Sequence, residues 1–222
     1  MIVVHHLERS RSHRVTWMLE ELGLEYELRT YTRDPGTLLA PESLRVVHRL
    51  GKSPVIIDGG LTLAESGAIL EYLVDRYGAG RFAPAAGTDQ RIRYTYWMHF
   101  AEGSAMPYLV MKLVLERIER APMPFFARPV ARAIAAGARS GYVMPNITRM
   151  LQHVEAELAA GDWFAGDFGA ADVQMSFPLE AAAARGRGAR EYPRIDAFLA
   201  RIRERPAYRR AAERAGGFSP LP

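Results

Sequence analysis

The apolar positions in the first third of the chain change period several times. Ile2-Val3-Val4, continued by His5-His6, is a compact run that predicts a strand from Ile2 to His6. From Ser12 to Leu22 (SHRVTWMLEEL) apolar residues recur at helical spacing and stop at Gly23, a usual helix-closing residue, so a helix is expected there. Tyr26 to Tyr31 predicts a second strand, and the intervening helix makes a parallel βαβ pair the natural connection. A loop holding Asp34-Pro35-Gly36 leads to a short helix opened by Pro41 and ending near His48. Val55 to Ile57 and Leu61 to Leu63 flank Asp58-Gly59-Gly60, a turn that joins antiparallel strands, and a helix from Glu65 to Tyr77 follows. The order βαβ, helix, ββα predicts a mixed four-stranded sheet covered by helices.

From Asp89 onward only helical spacing is found. Long helices are expected from about Asp89 to Arg120 and from about Phe126 to Ala160, the second interrupted at Gly137 and Gly141. Shorter ones are expected near Ala170 to Arg185, Tyr192 to Glu204 and Ala207 to Ala215. Residues 84–88, PAAGT, read as a connector between domains. The expected organisation is an α/β domain over 1–82, a linker over 83–88 and an all-helical domain over 89–222.

Composition narrows the chemistry. With no cysteine, the chain has no disulfide, no thiolate metal site and no cysteine nucleophile. The net charge is +4, and ten arginines lie between Arg185 and Arg214, which raises nucleic-acid binding. Glu191, Asp196, Glu204 and Glu213 interleave with them, so solvated helix faces are the better reading and no nucleic-acid partner is expected. No apolar run approaches the roughly 20 residues of a membrane span, and MIVVHHLERS lacks a secretory pattern. A soluble, cytoplasmic protein without a membrane partner is expected. His5 and His6, adjacent in a strand, point to opposite faces, and the other histidines are scattered, so no metal site is expected. Phosphate-loop and dinucleotide-binding glycine patterns are missing. Asp172 sits three residues after Gly169, where a capping box would begin with Ser or Thr, which predicts a weaker cap and a folding role.

The stretches SRSHRVTWMLEELGLEYEL (10–28), HRLGKSPVI (48–56), LAESGAILEYL (63–73) and GDFGAADVQMSF (166–177) together resemble the glutathione S-transferases. The resemblance spans both halves and implies a thioredoxin-like N-terminal domain, an all-helical C-terminal domain, glutathione as co-substrate and a homodimer. It also implies a cis bond at Ser53-Pro54, with Ser53 offering its main chain to the cysteinyl backbone of glutathione; Pro54 as the start of an edge strand is the alternative. Glu65 and Ser66, at the start of a helix, would take the γ-glutamyl ammonium and carboxylate, although acid and cap roles alone also fit them. Lys52, assisted by His48, would take the glycyl carboxylate. Arg49 stands where the family motif has proline.

The thiol must then be activated by a hydroxyl, for which Ser10 and Ser12 are the candidates. In serine-type members the active serine lies four residues before the helix arginine, here Arg14, which selects Ser10 and leaves Ser12 as a cap. Both could instead only cap the helix. Arg11 is a weaker candidate as supporting charge. The aromatic segment of the long helix supplies Trp97, His99, Glu102 and Tyr108 as candidates for a pocket receiving a small apolar electrophile, with core or dimer-seam roles as the alternative; Arg76 and this helix would offer the seam. The expected activity is conjugation or peroxide reduction. A non-catalytic ligand-binding protein of the same fold, or an isomerase or dehalogenase using glutathione, is the rival.

Overall fold

The computed structural model describes residues 1–186 and 191–216. Arg187 and Arg190 of the arginine-rich tail lie outside these. Strand β1 (Ile2–Leu7) is followed by α1 (Ser12–Leu22), β2 (Tyr26–Tyr31), α2 (Glu42–Val47), β3 (Val55–Asp58), β4 (Leu61–Ala64) and α3 (Ser66–Tyr77). The sheet order is β2-β1-β3-β4. β1 runs parallel to β2 with Ile2 opposite Tyr26, and antiparallel to β3 with His5 opposite Val55. The hairpin β3–β4 turns at Asp58-Gly59-Gly60, where Gly59 takes φ +59°. The Ser53-Pro54 bond is cis.

The remainder is helical: α4 (Asp89–Phe100), α5 (Met106–Arg120), α6 (Arg128–Ala138), α7 (Met144–Glu157), α8 (Ala170–Ala181), α9 (Pro193–Glu204) and α10 (Pro206–Arg214). The second long helix is interrupted where expected: α6 ends one residue after Gly137 and passes into α7 through a π turn at Arg139–Val143, which contains Gly141. The first, expected to be continuous, passes from α4 into α5 through another π turn at Ala101–Ala105. Pro107 and Pro145 come just after these turns. A proline lacks the N–H and presses its ring on the carbonyl four residues back, here Gly103 and Gly141, and a wider turn relieves that clash.

Every residue of α8 is buried, and the helix packs against α1, α3 and α4. It is the post on which both domains lean. Its start corrects the expected weak cap. Asp172 accepts from the N–H of Gly169 (2.8 Å) and of Phe164 (3.0 Å), closing two turns at once. A side chain at position 169 has no room, because an added Cβ would lie 2.5 Å from the Phe82 carbonyl oxygen, which itself accepts from Ala170 N–H. The glycine is required by the close approach of the interdomain strand.

The arginines of the C-terminal third find acids on α1. Arg205 makes a two-point pair with Glu21 (2.6 and 2.9 Å) and stacks on Phe168, while Arg210 and Arg214 reach Glu20. α10 is thereby clamped onto the first domain, which gives this part of the positive charge a structural use.

Gly169→Ala is expected to destabilise the fold by about 1–3 kcal/mol, as overpacking against rigid backbone does. Urea unfolding followed by circular dichroism checks this; an unchanged midpoint would mean the Phe82 strand yields.

Candidate active site

The end of β1, the cis-proline loop, the start of α3 and the π turn before α5 surround a cleft of about 500 Å³. Ser10, His48, Lys52, Ser53, Pro54, Glu65 and Ser66 all line it, so the residues proposed from sequence for thiol and tripeptide come together. Ser12 does not line it and is fully buried. Of the four helical-domain candidates only Glu102 reaches the cleft. Trp97 is buried in an aromatic cluster, stacked on His153 and packed on Phe164; His99 is exposed elsewhere; Tyr108 packs against Tyr142. The apolar wall is supplied by Met106, Val110 and Phe177. These lie on α5 one and two turns past Glu102 and on α8. The aromatic density of α4 drew attention to the wrong face of the helix.

At the end of β1 the cleft is bordered by serine hydroxyls. Ser53 Oγ donates to the His5 carbonyl (2.8 Å) and accepts from Leu7 N–H (3.1 Å), tying the proline loop to β1. Ser10 Oγ lies 2.7 Å from Ser12 Oγ and accepts from Ser12 N–H (3.3 Å), while its contact with Ser53 Oγ is 3.4 Å. Ser12 Oγ lies 2.7 Å from His6 Nδ1. Ser12 is thus the first residue of α1 and joins two neighbours rather than capping the helix.

Where α3 begins at the cleft, Glu65 does not belong to the first turn of the helix. It precedes the helix at φ +71° and ψ +119°, a backbone region that side chains avoid at a cost of about 1–3 kcal/mol and that occurs mostly at functional sites. The carboxylate is exposed and, among the described residues, unpaired. Ser66 opens α3, and its Oγ accepts from Arg14 Nη1 (3.1 Å) and Gln174 Nε2 (3.5 Å), which leaves its own proton and N–H to donate toward an anion.

In the loop before the cis proline, Lys52 is exposed and His48 Nδ1 is buried without a hydrogen-bond partner among the described residues. Gly51 sits at φ +57°, and the space a Cβ would need is filled by the Arg45 side chain, 2.6 Å away, rather than by open cleft.

Behind the site the helix arginine Arg14 gathers Arg11 and Glu102, each noted separately in the sequence, into one charged group. Arg14, completely buried, donates to Glu102 Oε1 (2.6 Å), Ser66 Oγ and Gln174 Oε1 (3.1 Å) and faces the Phe177 ring. Arg11 donates to both Glu102 oxygens from 2.9 Å. Burial lowers the Arg14 pKa to about 10, with Glu102 opposing that shift, so the guanidinium stays charged at neutral pH. Burial pushes Glu102 up, but Arg14 and Arg11 outweigh it and hold the carboxyl below its ordinary 4.5. The spacing of Arg14 within an otherwise apolar helix face was the available signal.

The family model for the glutathione S-transferase N-terminal domain matches residues 1–75, and that for the C-terminal domain matches residues 135–206. A thioredoxin-like domain joined to a helical one is the class these matches and the sheet topology define. The chain is 39% identical to glutathione S-transferase 3 of Schizosaccharomyces pombe over 96% of its own length and 88% of that protein's. It is 35% identical to a solved glutathione S-transferase of Actinobacillus pleuropneumoniae, with a TM-score of 0.78, covering 98% of this chain and 94% of that one. A sphingomonad glutathione S-transferase solved in complex with glutathione is 25% identical with a TM-score of 0.73, covering 96% and 98% of the two chains. The Escherichia coli disulfide-bond oxidoreductase YfcG is 29% identical over 93% of this chain and 92% of its own. The chain belongs to the glutathione S-transferase family.

Because the folded pKa of Glu102 is depressed, its contribution to stability is complete above about pH 4.5 and is lost as pH falls through the lower folded value. Glu102→Gln is expected to cost roughly 1–3 kcal/mol at neutral pH, less than a fully buried ion pair because Glu102 is about a third exposed, and to flatten the acid limb of stability against pH. Urea unfolding at a series of pH values checks this; an unaltered acid limb would assign the acid sensitivity to other carboxyls.

Proposed function

We propose that the protein is a serine-type glutathione transferase in which Ser10 stabilises the glutathione thiolate for attack on an apolar electrophile, with peroxide reduction as a side reaction. The observation that carries this reading is that Ser10 Oγ lines the cleft between the tripeptide-binding residues and the apolar wall, while Ser12 is sealed beneath it. Glu65 and Ser66 hold the γ-glutamyl end, Ser53 the cysteinyl main chain, and Lys52 with His48 the glycyl carboxylate. The solved complex of the sphingomonad relative with glutathione supports this choice of ligand. The electrophile meets Met106, Val110 and Phe177 rather than the α4 aromatics.

A free thiol with a pKa of about 8.5 is only a few per cent ionised at neutral pH. One hydrogen bond to the charged form is worth about 1.5–3 kcal/mol, or roughly one to two pKa units. The thiol proton leaves to solvent; the bound thiolate attacks the electrophilic carbon and expels its leaving group as an anion, or attacks a peroxide oxygen, breaking the O–O bond to release the alcohol and leaving a sulfenic acid that a second glutathione converts to glutathione disulfide and water. Positioning by the two charged ends of the tripeptide supplies the rest of the acceleration.

The proposal includes a cytoplasmic homodimer whose domains divide at residues 83–88. A second reading, glutathione-dependent disulfide reduction, is favoured by the similarity to YfcG. Without a cysteine the chain can form no mixed disulfide of its own, so the bound thiolate would attack the substrate disulfide directly.

The test is the ultraviolet thiolate absorbance of bound glutathione against pH. The wild-type protein is expected to depress the thiol pKa by roughly one to two units, and Ser10→Ala to return it toward about 8.5 with glutathione still bound. Binding with an undepressed thiol would replace the enzyme reading with non-catalytic ligand binding. Assays with a chloronitrobenzene, a hydroperoxide and a small disulfide then separate conjugation, peroxide reduction and disulfide reduction.

A further inference from the structure

Resting on the serine reading, the chain of short contacts behind Ser10 has a direction that the reaction depends on. Ser10 Oγ and Ser12 Oγ are 2.7 Å apart, and Ser12 Oγ and His6 Nδ1 are also 2.7 Å apart. Each hydroxyl carries one proton, and contacts this short each hold one. Three arrangements satisfy both contacts; in one of them Ser12 accepts from both neighbours and its own proton is left with the Leu7 carbonyl at 3.5 Å, a contact too long to compete with a donation to Ser10. The other two differ at His6. If His6 Nδ1 accepts, Ser12 donates to it and Ser10 must donate to Ser12, so Ser10 shows lone pairs to the cleft and repels a thiolate. If His6 Nδ1 carries the proton, it donates to Ser12 and Ser12 donates to Ser10.

In that second arrangement Ser10 also accepts from Ser12 N–H, and its acceptor capacity is filled from behind. Its own proton is then directed into the cleft, with only the 3.4 Å contact to Ser53 Oγ competing for it. Ser53 does not pull harder, because its oxygen already accepts from Leu7 N–H.

We propose that His6 is a positioning residue for thiolate formation: as the Nδ1–H tautomer it donates to Ser12, which donates to Ser10, and this turns the Ser10 hydroxyl outward as a donor to sulfur. No proton moves to His6, and the thiol proton goes to solvent. His6 is buried, which lowers its pKa, with Glu8 opposing; the neighbouring His13, more deeply buried, lies lower still, at about 3. At neutral pH both rings are neutral, so the tautomer of His6 and not its charge decides the direction of the chain. The adjacent strand residue His5 points away, to Tyr31.

The experiment is nitrogen-15 NMR of the imidazole rings in the intact wild-type protein saturated with glutathione above the pH of thiolate formation, with the His6 signals assigned by their loss in His6→Asn. Protonated Nδ1 and bare Nε2 at His6 are expected; the opposite tautomer in the complex overturns the proposal without any variant having to fold. Alongside it, the bound-thiol pKa is read in Ser12→Ala, His6→Phe and His6→Asn. The first two should raise it by about one unit with the glutathione dissociation constant changed less than about threefold, and the Asn amide, which can donate, should recover part of the shift. If Ser10→Ala raises the thiol pKa while folded Ser12→Ala and His6→Phe leave it unchanged, the serine mechanism stands and the His6 role falls. If the wild-type thiol is not depressed at all, both fall.

Discussion

The buried guanidinium of Arg14 is the interaction on which the arrangement of this molecule turns. A charge completely removed from water costs several kcal/mol unless its partners are fixed around it, and here the partners come from three other segments. Glu102 comes from the π turn between α4 and α5, Ser66 from the start of α3 and Gln174 from α8. Moving any one of these segments would strand the charge, since among the described residues Nε and Nη2 have no hydrogen-bond partner, and the Phe177 ring lies beside the guanidinium. The same arginine therefore holds the two domains in register and sets the floor of the cleft.

That constraint explains features that look unrelated along the chain. The π turn at Ala101–Ala105 shifts the helix register by a fraction of a turn just where Glu102 must meet Arg11 and Arg14. Ser66, engaged as an acceptor from behind, has its proton left for a ligand in front. Glu65 is held in an unfavourable backbone conformation one residue before this anchored serine, and its carboxylate is left exposed at the mouth of the cleft. The N-terminus of α3 thus carries an acid and a hydroxyl that face different ways, which is what a ligand group holding both an ammonium and a carboxylate requires.

Much of this could be read in the sequence, for identifiable reasons. The periods of Ile2–His6, Ser12–Leu22 and Tyr26–Tyr31, together with Asp58-Gly59-Gly60, determine the sheet order because local turn chemistry and short connections leave few alternatives. That Ser10, His48, Lys52, Ser53, Pro54, Glu65 and Ser66 would come together at one cleft was legible because they sit in short, ordered motifs. The apolar wall was not, since Met106, Val110 and Phe177 are ordinary helix residues whose facing depends on the π turn, and nothing in the local pattern announces one. Trp97 looked like a pocket residue for the reason that makes it a core residue: large aromatic side chains at helical spacing fit either place. Likewise Gly169 read as a weak cap, when the real determinant is a carbonyl from Phe82, a neighbour distant in sequence.

The hydroxyl chain at the other end of the cleft shows a second kind of information that only three dimensions supply. Ser10, Ser12 and Ser53 are equivalent as residue types, and spacing alone could rank the first two only by analogy with a helix arginine. Their partners separate them. Ser53 lines the cleft but spends its proton on the His5 carbonyl and serves as a tie between loop and strand; Ser12 is enclosed between His6 and Ser10; Ser10 lines the cleft with its proton committed to no carbonyl among the described residues. Reactivity in such a site comes from the order in which identical groups are satisfied. On the proposed reading, the outermost hydroxyl becomes a donor to sulfur only because every other demand on the protons behind it has already been met.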